Sequence, residues 1–100
     1  MRNPHLSRIT AATLQKQAAK AFDAGFVQLS HNLIRAAELT TVPDEELLEI
    51  YELLRPRRAS YEQLLMVADK LVNLYGASST AAYVRNAAAE YLRRNLCQTP

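Results

Sequence analysis

A chain of 100 residues with a formal net charge of +2 has room for one small domain, and its charge excess is too small to favour nucleic acid or a membrane as partner. The single cysteine, Cys97, excludes an internal disulfide and favours a reducing, cytoplasmic location. No apolar run approaches the roughly 18 residues that would span a bilayer, and Met1–Ser7 has no hydrophobic signal region.

Few glycines and prolines, with abundant helix formers, predict an all-α fold, a small bundle of four or five helices. After an irregular segment at residues 1–9, Thr10 is a candidate N-cap. Apolar residues then recur at helical period from Leu14 past Gly25 to Leu39. One straight helix over this stretch would be about 43 Å long, which exceeds a compact domain of this size. A single helix stays the alternative, but we expect a break or bend near Gly25.

The next helix is expected to begin at Pro43, which suits a first turn, and to end near Arg55 because Pro56 follows. Acidic residues at its start complement the helix dipole, so we interpret them as structural and not as an acid–base site. These residues are Asp44, Glu45, Glu46 and Glu49. The apolar face is predicted to consist of Leu47, Ile50, Tyr51 and Leu54, with Leu48 and Leu53 outside it.

A capping box, Ser60 to Gln63, predicts the start of the cleanest amphipathic helix, which Gly76 ends. Its apolar stripe is Tyr61, Leu64, Leu65, Ala68, Leu71, Val72 and Tyr75, and Leu65 at the centre is expected in the core. Ser78 or Ser79 is expected to cap a last helix that runs to about Leu96. The predicted organisation is therefore a helical domain over residues 10–96 and a C-terminal tail over residues 97–100.

The sequence offers no arrangement typical of catalysis. Neither His5 nor His31 has cysteines or carboxylates at metal-ligand spacing, and Cys97 has no activating histidine nearby. The two glycines lie too far apart for a phosphate-binding loop. We therefore expect no catalytic, cofactor-binding or metal-binding residue on this chain. The five tyrosines are interpreted as core or interface groups.

The corner Arg55-Pro56-Arg57-Arg58 is short and stiff, because Pro56 ends one helix and Ser60 caps the next. Such a corner, like the doublet Arg93-Arg94, is compatible with a solvated surface, internal salt bridges or contact with an acidic partner. A helix–turn–helix DNA reader would also use such arginines, but the small net charge argues against nucleic acid.

The stretch NLIRAAELTTVPDEELLEIYELLRPRRAS, residues 32–60, resembles the small (gamma) subunit of adenosylcobalamin-dependent diol and glycerol dehydratases. The order and spacing of several short elements carry the resemblance, which extends over roughly residues 8–95. These elements are Arg35-Ala-Ala-Glu-Leu39, Pro43-Asp-Glu45, Ile50-Tyr51 and Leu54-Arg-Pro56 followed by Arg58 and Ser60.

The resemblance implies a non-catalytic small subunit of an enzyme, a hydro-lyase. Large, medium and small subunits form a dimer of heterotrimers, in which the small subunit docks on the large subunit and supports assembly. The large subunit is a TIM barrel that holds the diol and a metal ion. Adenosylcobalamin sits between the large and medium subunits and starts a radical reaction that converts propane-1,2-diol or glycerol to an aldehyde plus water. The implied location is the cytoplasm or, within it, a bacterial microcompartment.

Two features qualify these expectations. Family members carry a longer N-terminal segment than the seven residues before Arg8, so the resemblance leaves open the contacts made by that segment and any microcompartment address it carries. Arg55 and Arg58 match family positions and are predicted partner contacts, whereas Arg57 stands where an apolar residue is expected and is predicted to face solvent. The alternative functions are a free-standing helical adaptor or regulator and a small DNA-binding protein.

Overall fold

The structure, a computed structural model, describes residues 10–98, and within that range it contains five α-helices and no β-strand. The all-α prediction is confirmed. The described chain divides between Thr40 and Thr41 into two compact units. The single helical domain expected over residues 10–96 stays a prediction. The segment expected to be irregular at residues 1–9 lies outside the described residues.

The first unit is a helical hairpin, residues 10–40, made of α1 (Ala11–Asp23) and α2 (Val27–Leu39). Thr10 caps α1 as predicted, since its hydroxyl oxygen accepts a hydrogen bond from the Thr13 N–H at 3.2 Å. This bond satisfies one of the backbone donors that the first turn leaves unpaired.

The break expected at Gly25 is confirmed. Gly25 has a φ of +87°, a left-handed conformation that glycine adopts without a Cβ clash. Its N–H donates to the Phe22 carbonyl at 3.0 Å, and the Phe26 N–H donates to the Ala21 carbonyl at 2.8 Å. These two bonds form a Schellman motif, which closes α1 and reverses the chain into α2.

Small side chains let the two hairpin helices approach closely. Leu14, Ala18, Ala21 and Ala37 are buried, and the buried Ser30 hydroxyl donates to the Ala18 carbonyl at 2.8 Å. Because alanine buries little apolar area, this packing gains less hydrophobic free energy than a leucine-rich core of equal length would.

The second unit, the three-helix unit of residues 41–98, contains α3 (Asp44–Leu53), α4 (Tyr61–Tyr75) and α5 (Ser78–Arg93). The predicted capping box is confirmed, because the Ser60 and Gln63 side chains each accept a hydrogen bond from the other's backbone N–H, at 3.1 and 2.8 Å. Gly76 ends α4 in the left-handed conformation, with a φ of +61°.

The core of the three-helix unit is built where α3, α4 and α5 meet. Ala59, Leu64 and Ala88 form a buried cluster, and five partly buried side chains pack against it: Leu53, Leu54, Tyr61, Leu65 and Tyr91. Leu65, expected in the core, packs against this cluster but is only partly buried. Leu64, one residue earlier, is 0% exposed and occupies the central place.

The predicted start of the last helix is corrected by the structure. Neither Ser78 nor Ser79 caps it: Ala77 is the N-cap, without a side-chain hydrogen bond, and Ser78 is the first helical residue. The reason is that the closure of α4 already fixes Ala77, whose N–H donates to the Leu71 carbonyl at 3.0 Å, so α5 begins at once.

The last helix also ends earlier than expected, at Arg93 instead of about Leu96. Asn95 has a φ of +59°, and asparagine is among the few non-glycine residues that tolerate this region. Its N–H donates to the Leu92 carbonyl at 3.2 Å, while the Leu96 N–H donates to the Tyr91 carbonyl at 2.8 Å. A second Schellman motif thus terminates α5.

Candidate partner-contact surface

The α3–α4 corner, residues 54–60, carries the two predicted partner contacts. The Arg55 N–H still donates to the last turn of α3, at 3.2 Å from the Glu52 carbonyl, but Pro56 has no N–H to continue the helix. Arg57 then adopts a left-handed φ of +65°, and the Arg58 N–H donates back to the Arg55 carbonyl at 3.2 Å. The chain turns here within three residues.

The segment Leu96–Gln98, here called the C-terminal clasp, is hydrogen-bonded to this corner. The Arg57 N–H donates to the Leu96 carbonyl at 2.7 Å, and the Gln98 N–H donates to the Ala59 carbonyl at 2.8 Å. Cys97 and Gln98, the first two residues of the predicted C-terminal tail, lie in this clasp. The bonds hold the backbone on both sides of Arg58 in one conformation.

Arg55 and Arg58 converge on one carboxylate. Arg55 Nη1 lies 3.3 Å from Glu52 Oε2, and Arg58 Nε lies 3.6 Å from Glu52 Oε1. All three side chains are more than half exposed, so these ion pairs orient the arginines more than they stabilise the fold. Arg57 is exposed as predicted. The assignment of Arg55 and Arg58 as partner contacts stays a prediction.

The apolar face predicted for α3 is partly wrong. Ile50 is buried and Leu54 packs against the core as expected, but Tyr51 is 55% exposed and Leu53 takes its place against the core cluster. The Tyr91 hydroxyl donates to the Leu54 carbonyl at 2.6 Å, which fixes the end of α3 with Leu53 turned inward. Tertiary packing, and not helical period, decides this rotation.

Glu46 has a role that the sequence did not indicate. Its carboxylate lies 2.7 Å from the Lys70 ammonium of α4 and accepts a hydrogen bond from the Tyr75 hydroxyl. Lys70 first, and Tyr75 second, hold the pKa of Glu46 below its ordinary value of 4.5. In return Glu46 raises the pKa of both Lys70 and Tyr75. The network ties α3 to α4, whereas Asp44 and Glu45 remain exposed in the first turn.

The second basic doublet, Arg93-Arg94, forms ion pairs with Glu90 at the end of α5. Arg94 Nε lies 2.7 Å from Glu90 Oε1, and Arg93 forms two hydrogen bonds with the same carboxylate. The Arg93 contact lowers the pKa of Glu90. A single carboxylate thus neutralises part of this positive surface.

No donor set for a metal ion is found among residues 10–98. In that part of the chain no group of three His, Cys, Asp or Glu side chains could hold a metal ion. His31 is exposed on α2, and Cys97 is a partly buried free thiol in the clasp; His5 lies outside the described residues. No helix in the described range is long and apolar enough to cross a membrane.

Comparison with known proteins identifies the family. Residues 3–98 match the dehydratase small subunit family. The chain is 54% identical over 87 residues to the propanediol dehydratase small subunit of Salmonella typhimurium, covering 87% of this chain and 50% of that protein. It is 53% identical over 87 residues to the Citrobacter freundii propanediol dehydratase small subunit, covering 87% and 51%. The chain belongs to the dehydratase small subunit family and spans about half the length of these curated relatives.

Proposed function

We propose that this chain is a non-catalytic subunit of a coenzyme B12-dependent dehydratase that converts propane-1,2-diol to an aldehyde plus water. The observation that carries the proposal is the 54% identity to a propanediol dehydratase small subunit over 87 residues. Both relatives are named for propanediol, which favours a propanediol over glycerol, a choice that the resemblance alone left open. Family membership also favours this function over a free-standing adaptor or a DNA-binding protein.

The proposed role is structural. The chain docks on the large subunit and supports a dimer of heterotrimers that also contains the medium subunit. Arg55 and Arg58 are proposed contacts, because both are exposed and oriented by Glu52 in a corner that backbone hydrogen bonds hold. The proposed location is the cytoplasm, where a bacterial microcompartment would be a narrower site.

Adenosylcobalamin is proposed as the cofactor of the assembled enzyme, and its chemistry there is radical formation. In the proposed assembly the large and medium subunits bind the cofactor, and we assign no reaction step to this chain. Among residues 10–98 no group of three His, Cys, Asp or Glu side chains could hold a metal ion.

The test is reconstitution with co-expressed large and medium subunits. The chain should co-elute with them in size-exclusion chromatography, and omitting it should lower the yield of assembled, propane-1,2-diol-converting enzyme. A chain that elutes alone, with assembly and turnover unaffected by its omission, would refute the proposal. A salt-dependent shift of random duplex DNA would favour the DNA-binding alternative instead.

The arginine contacts have their own test. Arg55→Ala and Arg58→Ala should each weaken capture of the large subunit, while the circular-dichroism melt of each variant stays near that of wild type because the ion pairs are exposed. Full binding by both variants would remove the arginines from the interface. A much lower melting temperature together with lost binding would assign them to the fold.

A further inference from the structure

The outward face of α3 carries two large apolar side chains in line with the arginine corner. Leu48 is 69% exposed and Tyr51 is 55% exposed. They are three residues apart and share one helix face, and Arg55 follows Tyr51 by four residues, just past the end of α3 at Leu53. Ile50, which is buried, defines the opposite side of the helix.

We infer that Leu48, Tyr51, Arg55 and Arg58 form one docking surface, here called the α3 surface. Its partner is the large subunit, which contributes an apolar depression with carboxylates at the edge that faces the arginines. This inference rests on the proposed function and makes it more specific. It places the centre of the contact on Leu48 and Tyr51 and assigns the arginines to the rim. The arginines alone would predict a purely ionic contact.

The positive charge of the arginine corner indicates the chemistry of the partner surface. Arg55 and Arg58 share the single carboxylate of Glu52, and Arg57 adds a further exposed guanidinium. With three arginines and one glutamate, the corner carries a net positive charge. Carboxylates on the partner would complete this pairing, and their forked geometry matches that of guanidinium.

The arrangement of apolar and charged groups on this surface is typical of protein–protein interfaces. Buried aromatic and arginine side chains dominate binding energy in protein interfaces, and a charged rim surrounds an apolar centre. Here Tyr51 and Leu48 supply the centre, and Arg55 and Arg58 supply the rim. Tyrosine suits this position because it buries a large area with few rotatable bonds.

The backbone that presents the α3 surface is fixed before any partner binds. The Tyr91 hydroxyl holds the Leu54 carbonyl at 2.6 Å, and the Leu96 carbonyl holds the Arg57 N–H at 2.7 Å. Glu52 further restricts both arginine side chains. A pre-ordered surface loses less conformational entropy on binding, which favours this face as the contact.

The test compares binding of variants to the large subunit, co-expressed with the medium subunit, by a titration that yields Kd. Tyr51→Ala should raise Kd about 30-fold, the size expected of a hot spot, and Leu48→Ala about 10-fold. Met66→Ala is the matched control: Met66 on α4 is 69% exposed, equal to Leu48, and should leave Kd within about twofold.

The salt dependence of binding distinguishes the apolar centre of the contact from its charged rim. The loss caused by Arg58→Ala should shrink between about 50 and 500 mM salt, because screening already weakens the ionic contact in wild type. The loss caused by Tyr51→Ala should persist. Both residues are exposed, so circular-dichroism melts of all variants should match wild type.

Three outcomes overturn the inference in distinguishable ways. If Tyr51→Ala and Leu48→Ala both bind the large subunit as tightly as wild type, the α3 surface is not the contact, but the proposed function still stands. Failure of the wild-type chain to bind the large subunit would refute the proposed function and the named occupant together. Self-association of the chain that Tyr51→Ala abolishes, with large-subunit binding intact, would identify a second copy as the occupant.

Discussion

The helical hairpin and the three-helix unit consist of similar helices but differ in what stabilises them. The hairpin buries three alanines and one larger apolar side chain, Leu14, whereas the three-helix unit buries five alanines and five larger ones: Val42, Ile50, Leu64, Leu71 and Val84. Burial of a leucine removes far more apolar area from water than burial of an alanine. Helical content is therefore a poor guide to stability, and the volume of the buried side chains is a better one.

The two units also differ in the side-chain hydrogen bonds that link distant parts of the chain. In the three-helix unit Tyr75 and Tyr91 bond to residues 29 and 37 positions away along the chain. In the hairpin the Ser30 hydroxyl bonds to Ala18, 12 positions away. We expect the hairpin to open more readily, and the following measurements test that contrast.

Core truncation should show the largest effect. Leu64→Ala should lower the free energy of unfolding by about 2–5 kcal/mol, because the fully buried side chain leaves a cavity. Leu14→Ala in the hairpin should lower the free energy of unfolding by about 2 kcal/mol or less, because its site borders solvent and can collapse or hydrate. Leu65→Ala should also cost less than Leu64→Ala, because Leu65 is partly buried. Urea unfolding measures all three, and equal losses for Leu14→Ala and Leu64→Ala would contradict the contrast.

Native-state hydrogen exchange should resolve the same contrast without mutation. Amides in α1 and α2 should exchange at least about tenfold faster, relative to their unfolded rates, than amides in the middle of α4 and α5. The reason is the smaller apolar area that opening the hairpin exposes. Uniform protection along residues 10–98 would mean that the two units unfold together.

Acid should weaken the three-helix unit through Glu46. Its folded-state pKa is lowered, so its contribution to stability is present above about pH 4.5 and is lost as the pH falls through the folded pKa. Glu46→Gln should therefore reduce stability at neutral pH and flatten the acid limb of the stability–pH curve. Glu45→Gln, at an exposed neighbouring position, is the control and should follow wild type. Parallel curves for wild type and Glu46→Gln would show that the Lys70 and Tyr75 contacts do not form in solution.

The smallest effect is expected at His31, the histidine in the described part of the chain. His31→Ala should leave turnover of the reconstituted enzyme unchanged, because the exposed side chain on α2 has no ligand or acid–base cluster around it. Loss of a general acid or base would lower turnover by about a hundredfold or more. A decrease of that size in a normally assembled complex would place catalytic chemistry on this chain.

Local signals predicted the elements that depend on local physics. Thr10, Gly25, Ser60 and Gly76 were each assigned correctly, because a cap or a left-handed residue bonds within one turn of its own position. The start of α5 was wrong because the closure of α4 displaced the serine cap. Helical period alone suggested a face for α3 but did not define which side packs inward.

The parts of the candidate site that were missed depend on residues far apart in the chain. Glu46 bonds to Tyr75, and Arg57 bonds to Leu96, across separations at which no spacing rule operates. The sequence therefore indicated the arginine corner, but neither the clasp that fixes it nor the exposure of Tyr51. A tyrosine one turn before paired arginines was the available signal, and its interpretation needed the orientation of α3.

The most direct test of the account places a photo-crosslinking residue at Tyr51 in the assembled enzyme. The account predicts an efficient crosslink from position 51 to the large subunit. The same substitution at Leu74, which is 62% exposed on α4, should give little or none. An intact complex in which position 51 gives no crosslink, or in which position 74 crosslinks equally well, would contradict the claim that this chain docks through the α3 surface.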